Sequence, residues 1–190
     1  MIKAIVFDCF GVLASDGWLP FRDSHFGSDP LKFEKVIEVN KKVDAGIIKY
    51  DDFIAQVADL AGVSDADARK DIENNIPDEA LFEYIKSELK SSYKIGMLSN
   101  AADDWLNEMF TPDQVELFDA VALSFEIGAI KPDERAYQTI ANRLGVELSE
   151  CIFIDDQPKY CEGAIRAGMK AIVFKNVEQM KPELTELLVL

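Results

Sequence analysis

The chain has 190 residues, of which 48% are hydrophobic, and it carries a formal net charge of −15. That hydrophobic fraction excludes an intrinsically disordered chain, and the length fits one or two domains. The negative charge disfavours nucleic acid and anionic membranes as partners, and no apolar run approaches the ~18 residues that a membrane span needs. The three cysteines follow no paired spacing, so we expect a reducing, cytoplasmic setting.

The first half of the chain predicts one strand followed by helices. The apolar run 2–7 is typical of a buried parallel strand, and it makes a poor signal peptide because an acid follows at Asp8. Glycines and prolines between Ser15 and Pro30 predict a loop. From Leu31 to about Lys90, apolar residues recur at helical spacing and predict four helices without a strand.

The second half alternates between strands and helices. We predict strands over 93–98, 118–123, 152–154 and 171–174, with helices from about Asp103, from Pro132 to Leu144 and from Pro158 to Gly168. Such alternation predicts an α/β fold with a doubly wound parallel sheet. Ligands of such sheets bind beyond the carboxyl ends of the strands, so those ends are where functional side chains are expected.

Three of the predicted strand ends carry polar groups. Asp8 ends the first strand, Ser99 follows the second, and the pair Asp155–Asp156 follows the fourth. Any one of these aspartates alone is explained by capping of the next turn. Together they form an oxygen-rich cluster that suits a hard cation such as Mg²⁺.

Four segments resemble the motifs of the haloacid dehalogenase-like superfamily, in the right order and across nearly the whole chain. They are 8–13 (DCFGVL), 98–100 (LSN), 130–133 (IKPD) and 153–156 (FIDD). The resemblance implies a Rossmann-like core, formed by residues 1–14 and 90–190, with a small helical-bundle cap inserted as residues 15–89. The segment 43–53 also resembles the cap of one subgroup. That subgroup contains bacterial sugar-phosphate phosphatases and the N-terminal phosphatase domain of soluble epoxide hydrolases.

The resemblance further implies a magnesium-dependent phosphatase. Asp8 would attack phosphorus and form an aspartyl-phosphate, which water then hydrolyses. Mg²⁺ would be held by Asp8, by the backbone carbonyl of Phe10, by Asp156, and by Asp155 as a second or outer ligand.

Three further residues of the motifs have implied roles at the phosphate. Ser99 would donate a hydrogen bond to a phosphoryl oxygen, and Asn100 would also reach the phosphate. Lys131 would offset the crowded negative charge and steady the nucleophile.

Phe10 departs from the pattern of the family's phosphatases, which usually carry a second aspartate two residues after the nucleophile. An aromatic ring cannot transfer a proton, so a contribution of about 10²–10⁴-fold is missing from its expected source. One interpretation is a phosphatase whose acid comes from elsewhere, or whose leaving group needs little help. Two other kinds of protein are also possible. Asp16, Asp23 and His25, in the segment after the first motif, are candidates for the acid.

The two other interpretations also remain open. A 2-haloacid dehalogenase releases halide, which needs no proton, and such relatives carry an aromatic residue at the position of Phe10. They work without a metal, however, and usually lack the paired acids of the fourth motif. The chain could also be a degraded enzyme that binds a phosphorylated ligand or a protein without turnover. Loss of the general acid and base would be a natural first step in such a loss of catalysis.

The expected ligand is a small phosphorylated metabolite, such as a sugar phosphate. The apolar C-terminal residues 184–190 predict packing on the core or on a second copy, so we expect a monomer or a homodimer.

Overall fold

The computed structural model describes residues 1–189, and these form one parallel sheet in the order β3–β2–β1–β4–β5. The strands are β1 (Ala4–Phe7), β2 (Lys94–Ser99), β3 (Ala120–Leu123), β4 (Cys151–Asp155) and β5 (Lys170–Val173). The predicted α/β sheet is confirmed. β1 lies at its centre, where Phe7 pairs in register with Met97 of β2 and Ile154 of β4.

Helices connect the strands and cover both faces of the sheet. In chain order they are α1 (Trp18–Phe26), α2 (Pro30–Asp44), α3 (Tyr50–Ala61), α4 (Asp65–Ile72), α5 (Glu79–Tyr84), α6 (Leu106–Met109), α7 (Pro112–Val115), α8 (Ser124–Ile127), α9 (Glu134–Leu144), α10 (Pro158–Ala167) and α11 (Val177–Val189). A π-helical turn, Ile85–Leu89, extends α5. Side chains alternate along β1, so one face packs with α9 and α10 and the other with α5 and α11.

Helices α1–α4 share a separate apolar cluster, which includes Phe26, Val36 and Val57. The predicted loop between Ser15 and Pro30 was wrong, because α1 lies within it. Pro20 falls in the first turn of α1, where a missing N–H costs no hydrogen bond, and the Asp16 carboxylate accepts from the first turn instead. The division into a core and an inserted cap at 15–89 stays a prediction.

Two helices begin later than the sequence predicts. The helix expected from about Asp103 starts at Leu106 and is a single turn, since Pro112 starts the next helix after the Thr111 capping box. The helix expected from Pro132 starts at Glu134, because the Asp133 carboxylate caps it by accepting from the Arg135 N–H at 3.0 Å.

The C-terminal helix α11 packs on the sheet. Leu184 is buried in the core, and Leu187 and Leu188 pack partly against it, whereas Leu190 lies outside the described residues. Within residues 1–189, no helix is both long enough and apolar enough to cross a bilayer.

Candidate active site

The functional side chains predicted from the sequence meet at one edge of the sheet. Asp8 follows β1 directly, Ser99 is the last residue of β2, and Asp155 is the last residue of β4. Because β2 and β4 flank β1 and all three run in parallel, their carboxyl ends bring these polar groups together.

Lys131 is the buried cation at the centre of this cluster. Its Nζ lies 2.7 Å from Asp8 Oδ1 and 2.7 Å from Asp155 Oδ2, and its side chain is 0% exposed. Burial opposes the ammonium charge, but the Asp155 and Asp8 carboxylates outweigh that cost and raise the pKa of Lys131. The lysine therefore stays charged and holds Asp8 in a fixed position.

The cluster carries more negative than positive charge. Carboxylate oxygens of Asp8, Asp155 and Asp156 lie within 4.8 Å of one another. Burial and the neighbouring Asp155 carboxylate raise the pKa of Asp8, although Lys131 opposes the shift. Three carboxylates and one ammonium leave two negative charges, which one divalent cation would balance. The donor set is all oxygen, so it fits Mg²⁺.

The carboxylates of the fourth motif have different surroundings. Asp155 uses one oxygen for Lys131 and the other for the backbone N–H of Gln157 at 2.8 Å. Asp156 is half-buried and lines the adjoining cavity, where the Gln157 amide donates to it at 2.6 Å. Gly11 packs directly against Asp156, since a Cβ there would lie 2.7 Å from the Asp156 Cγ.

Ser99 and Asn100 continue the site from the end of β2. Ser99 is buried, yet it lines the cavity beside Asp8. The Asn100 carboxamide makes two hydrogen bonds to the backbone of Lys131. Asn100 Oδ1 accepts the Lys131 N–H at 2.8 Å, and Asn100 Nδ2 donates to the Lys131 C=O at 3.3 Å. In this structure Asn100 therefore positions Lys131.

A cavity of about 860 Å³ lies over the strand ends. Helices α1–α4 contribute Trp18, Tyr50 and Phe53 to its lining. On the core side, the ring of Phe10 packs edge-on against Trp105 with centroids 4.8 Å apart. Of the seven residues predicted from the motifs, all but Asp155 line this cavity.

The sequence of residues 2–168 matches the family model for haloacid dehalogenase-like hydrolases. The chain is a member of that family. A phosphatase of Mycobacterium tuberculosis, MT3486, is 54% identical over 56 residues, which is 30% of this chain and 26% of that protein. The flavin mononucleotide hydrolase 1 of Arabidopsis thaliana is 40% identical over 60 residues, 32% of this chain and 24% of that protein. The matches thus span about a quarter of these two relatives.

A solved structure shares the fold over nearly the whole chain. It is a family enzyme of Bacteroides thetaiotaomicron in complex with magnesium and inorganic phosphate. It is 23% identical to this chain, with a TM-score of 0.72, and the match covers 95% of this chain and 99% of that one.

The three candidates for a replacement acid lie in different environments. His25 packs against the Phe21 ring at a centroid distance of 4.5 Å, and Asp23 pairs with Arg22 at 2.6 Å. Neither of the two lines the cavity. Asp16 does line it, and its Oδ1 accepts the N–H groups of two α1 residues at 2.8 and 3.1 Å.

Sequence reasoning missed two ionisable side chains of this hydrolase site. Tyr160 lies under the Lys131 ammonium, whose Nζ is 4.9 Å from the ring centroid, and burial raises the tyrosine pKa to about 12. Its place in the first turn of a helix after a motif strand was a usable signal, because such turns face the strand ends. Asp44, at the end of α2, also lines the cavity. Its sequence context is that of an ordinary helix acid.

Cys9 is buried next to the nucleophile, and burial together with the Asp8 charge raises the pKa of its thiol. It therefore stays a neutral thiol and is no nucleophile.

Proposed function

We propose that this chain is a magnesium-dependent phosphohydrolase that acts on a small phosphorylated metabolite through an aspartyl-phosphate on Asp8. The observation that carries the proposal is the buried Lys131 ammonium, 2.7 Å from Asp8 and at the base of a cavity with three clustered carboxylates. Such a cluster meets the two demands of phosphoryl transfer, which are positioning and charge stabilisation.

The metal would be held by Asp8, Asp156 and the backbone carbonyl of Phe10, with Asp155 in an outer position because Lys131 and the Gln157 N–H already occupy its oxygens. When bound, the cation neutralises charge on the phosphate and favours the ionised form of Asp8.

The protein's own groups account for the chemistry as follows. Lys131 holds the Asp8 carboxylate in position through Oδ1, and the carboxylate attacks phosphorus in line with the leaving group. The Ser99 hydroxyl donates to a phosphoryl oxygen. Water then attacks the aspartyl-phosphate, which releases inorganic phosphate and restores the Asp8 carboxylate.

The volume and lining of the cavity support a small-molecule substrate. A volume of about 860 Å³ lies within the range of small-molecule sites. Aromatic side chains on the helical side would contact the body of the substrate, whereas Ser99 would contact its phosphate. The names of the two curated relatives, a phosphatase and a flavin mononucleotide hydrolase, favour a phosphate monoester.

Phosphate release from a panel of small phosphate monoesters tests the proposal. We expect release by the wild type with Mg²⁺, none with a chelator, and none by Asp8→Asn. Asp59→Asn, the same change at an exposed carboxylate of α3, serves as the matched control and should act like wild type.

Two other results would replace the proposal. Halide release from 2-haloacids that survives the chelator would identify a dehalogenase, which the aromatic Phe10 would tolerate. Phosphate release no higher than that of Asp8→Asn on every ester would identify a binding protein.

A further inference from the structure

The phosphohydrolase reaction needs a proton for the leaving alkoxide, and Phe10 cannot supply it. A suitable donor must lie in the same cavity as Asp8, expose an oxygen to it, and hold a proton near neutral pH. Among the described residues that line the cavity, Asp44 combines these properties.

The main chain at Asp44 is hydrogen-bonded to the edge of the sheet that carries Ser99 and Asn100. Its carbonyl accepts a hydrogen bond from the hydroxyl of Ser124, which is the first residue of α8 and directly follows β3. The same hydroxyl accepts the backbone N–H of Ala101 at 2.9 Å. Ala101 follows Asn100, whose carboxamide is hydrogen-bonded to the backbone N–H and C=O of Lys131. One buried serine thus fixes the end of α2 beside the loop that carries the phosphate-binding groups.

The Asp44 carboxyl group has one oxygen engaged and one open. Asn40 donates to Oδ2 at 2.9 Å, and no group of residues 1–189 donates a hydrogen bond to Oδ1. The side chain is half-buried, and no described buried side-chain oxygen lacks a partner, so Oδ1 keeps accessible surface. Asp44 lines the cavity, so this oxygen belongs to a side chain that borders the substrate space.

Charged groups from several elements face Asp44. They are Asp16 from the segment before α1, Lys131 from the loop before α9, and Lys159 and Tyr160 from the first turn of α10. Burial raises the pKa of Asp44 to about 7, while Lys131, Asn40 and Lys159 hold it below a still higher value. The group therefore exchanges a proton in the range that a general acid and base requires.

We propose that Asp44 is the general acid and base of this active site, in place of the carboxylate that Phe10 lacks. The proposal rests on the proposed phosphohydrolase function.

In the first half-reaction, an Asp8 oxygen forms a bond to phosphorus while the bond from phosphorus to the ester oxygen breaks. The Asp44 carboxylic acid gives its proton to that oxygen, and the alcohol leaves. In the second, Asp44 takes a proton from water, the water oxygen bonds to phosphorus, and the bond from phosphorus to Asp8 breaks. Both carboxyl groups return to their starting states, and the net reaction is hydrolysis of the monoester.

Asp16 also lines the cavity, but it suits this role less well. Its Oδ1 accepts the backbone N–H groups of Trp18 and Leu19. Burial raises the pKa of Asp16 as well, but both donors oppose that rise, since they stabilise the carboxylate anion, which is the form that cannot donate a proton. Asp16 thus acts as the cap of α1.

The test compares leaving groups. For wild type, Asp44→Asn, Asp16→Asn and the surface control Asp59→Asn, kcat/KM is measured with an alkyl phosphate and with p-nitrophenyl phosphate, whose leaving group needs no proton. We expect Asp44→Asn to lose about 10²–10⁴-fold on the alkyl ester and less than about tenfold on the nitrophenyl ester. Rapid acid quench with the nitrophenyl ester should show phosphorylated Asp8 accumulating in Asp44→Asn, because its hydrolysis lacks a base.

The wild-type pH profile gives a second readout that needs no variant. On the alkyl ester, kcat/KM should fall as pH rises through about 7, because the acid form of Asp44 is lost. Equal losses on both esters in Asp44→Asn, without phosphoenzyme, would overturn the assignment, as would a leaving-group-dependent loss in Asp16→Asn alone. If wild type releases no more phosphate than Asp8→Asn, the proposed function itself fails, which is a distinct result.

Discussion

Lys131→Met is the substitution whose consequences the structure defines most sharply. Methionine keeps an unbranched apolar side chain of similar length but removes the ammonium. In the wild type that ammonium lies 2.7 Å from Asp8 and 2.7 Å from Asp155, with none of the lysine side chain exposed. The variant leaves the two carboxylates buried side by side with no cation between them.

Removing one partner of a buried ion pair costs about 3–5 kcal/mol, because the remaining charge stays desolvated. That is a large part of the ~5–15 kcal/mol that holds a typical domain folded. For a chain of this length, each kcal/mol lowers the melting temperature by about 2–4 °C, so we expect a fall of about 6–20 °C.

Urea unfolding at pH 8, with chelator present so that no divalent cation replaces the lysine, measures the loss. Lys159→Met is the matched control, because Lys159 also lines the cavity but is exposed, and we expect it to cost less than about 1 kcal/mol. The double variant Lys131→Met/Asp155→Asn removes one of the two unpaired buried carboxylates and should recover part of the lost free energy of unfolding.

The loss should also depend on pH. Without the lysine, the pKa of Asp8 in the folded state rises further above its unfolded value, so the folded variant binds more protons than the unfolded chain. Its stability then increases as pH falls, and the gap to wild type narrows from pH 8 towards pH 5. If Lys131→Met is as stable at pH 8 as Lys159→Met, the electrostatic account of this cluster is wrong.

Three other substitutions test separate parts of the structure. Gly11 has φ +84°, and a Cβ there would lie 2.7 Å from Asp156 Cγ. Gly11→Ala should therefore lower the free energy of unfolding by about 1–3 kcal/mol and weaken Mg²⁺ binding in calorimetry. An unchanged Mg²⁺ affinity would show that Asp156 does not depend on the close packing of Gly11. Asp29 accepts the N–H groups of Leu31 and Lys32 at the start of α2, so Asp29→Ala should cost about 1 kcal/mol in urea unfolding and leave Mg²⁺ affinity unchanged. Burial raises the pKa of Asp44 to about 7, so the folded state binds this proton more tightly than the unfolded chain, and the contribution of Asp44 to stability falls as pH rises towards 7. Asp44→Asn should therefore be more stable than wild type at pH 8, by about 2–4 kcal/mol, with no difference near pH 4; equal stability at pH 8 would show that the carboxylate is solvated.

The sequence by itself determined the sheet and the position of its functional edge. A strand such as Ala4–Phe7 is a short apolar run followed at once by a polar residue, and that signal is local. Parallel strands place their carboxyl ends together, so the order of strands and helices is enough to predict Asp8, Ser99 and Asp155 at one edge. The number of glycines and prolines around helix α1 wrongly predicts a loop, because Pro20 lies in the first turn, where proline is tolerated.

Only the tertiary structure decided how the polar groups are used. Asp155 and Asp156 are adjacent in sequence, yet one is held by Lys131 and the other lines the cavity. Asn100 follows Ser99 directly, but its carboxamide holds the backbone of Lys131. In the sequence, Asp44 looks like an ordinary acid on the surface of a helix. Its surroundings are set by tertiary packing, in which the Asp44 carbonyl at the end of α2 accepts a hydrogen bond from Ser124, far along the chain. Burial and pKa are set by neighbours from other elements, and no local pattern encodes which neighbours those are.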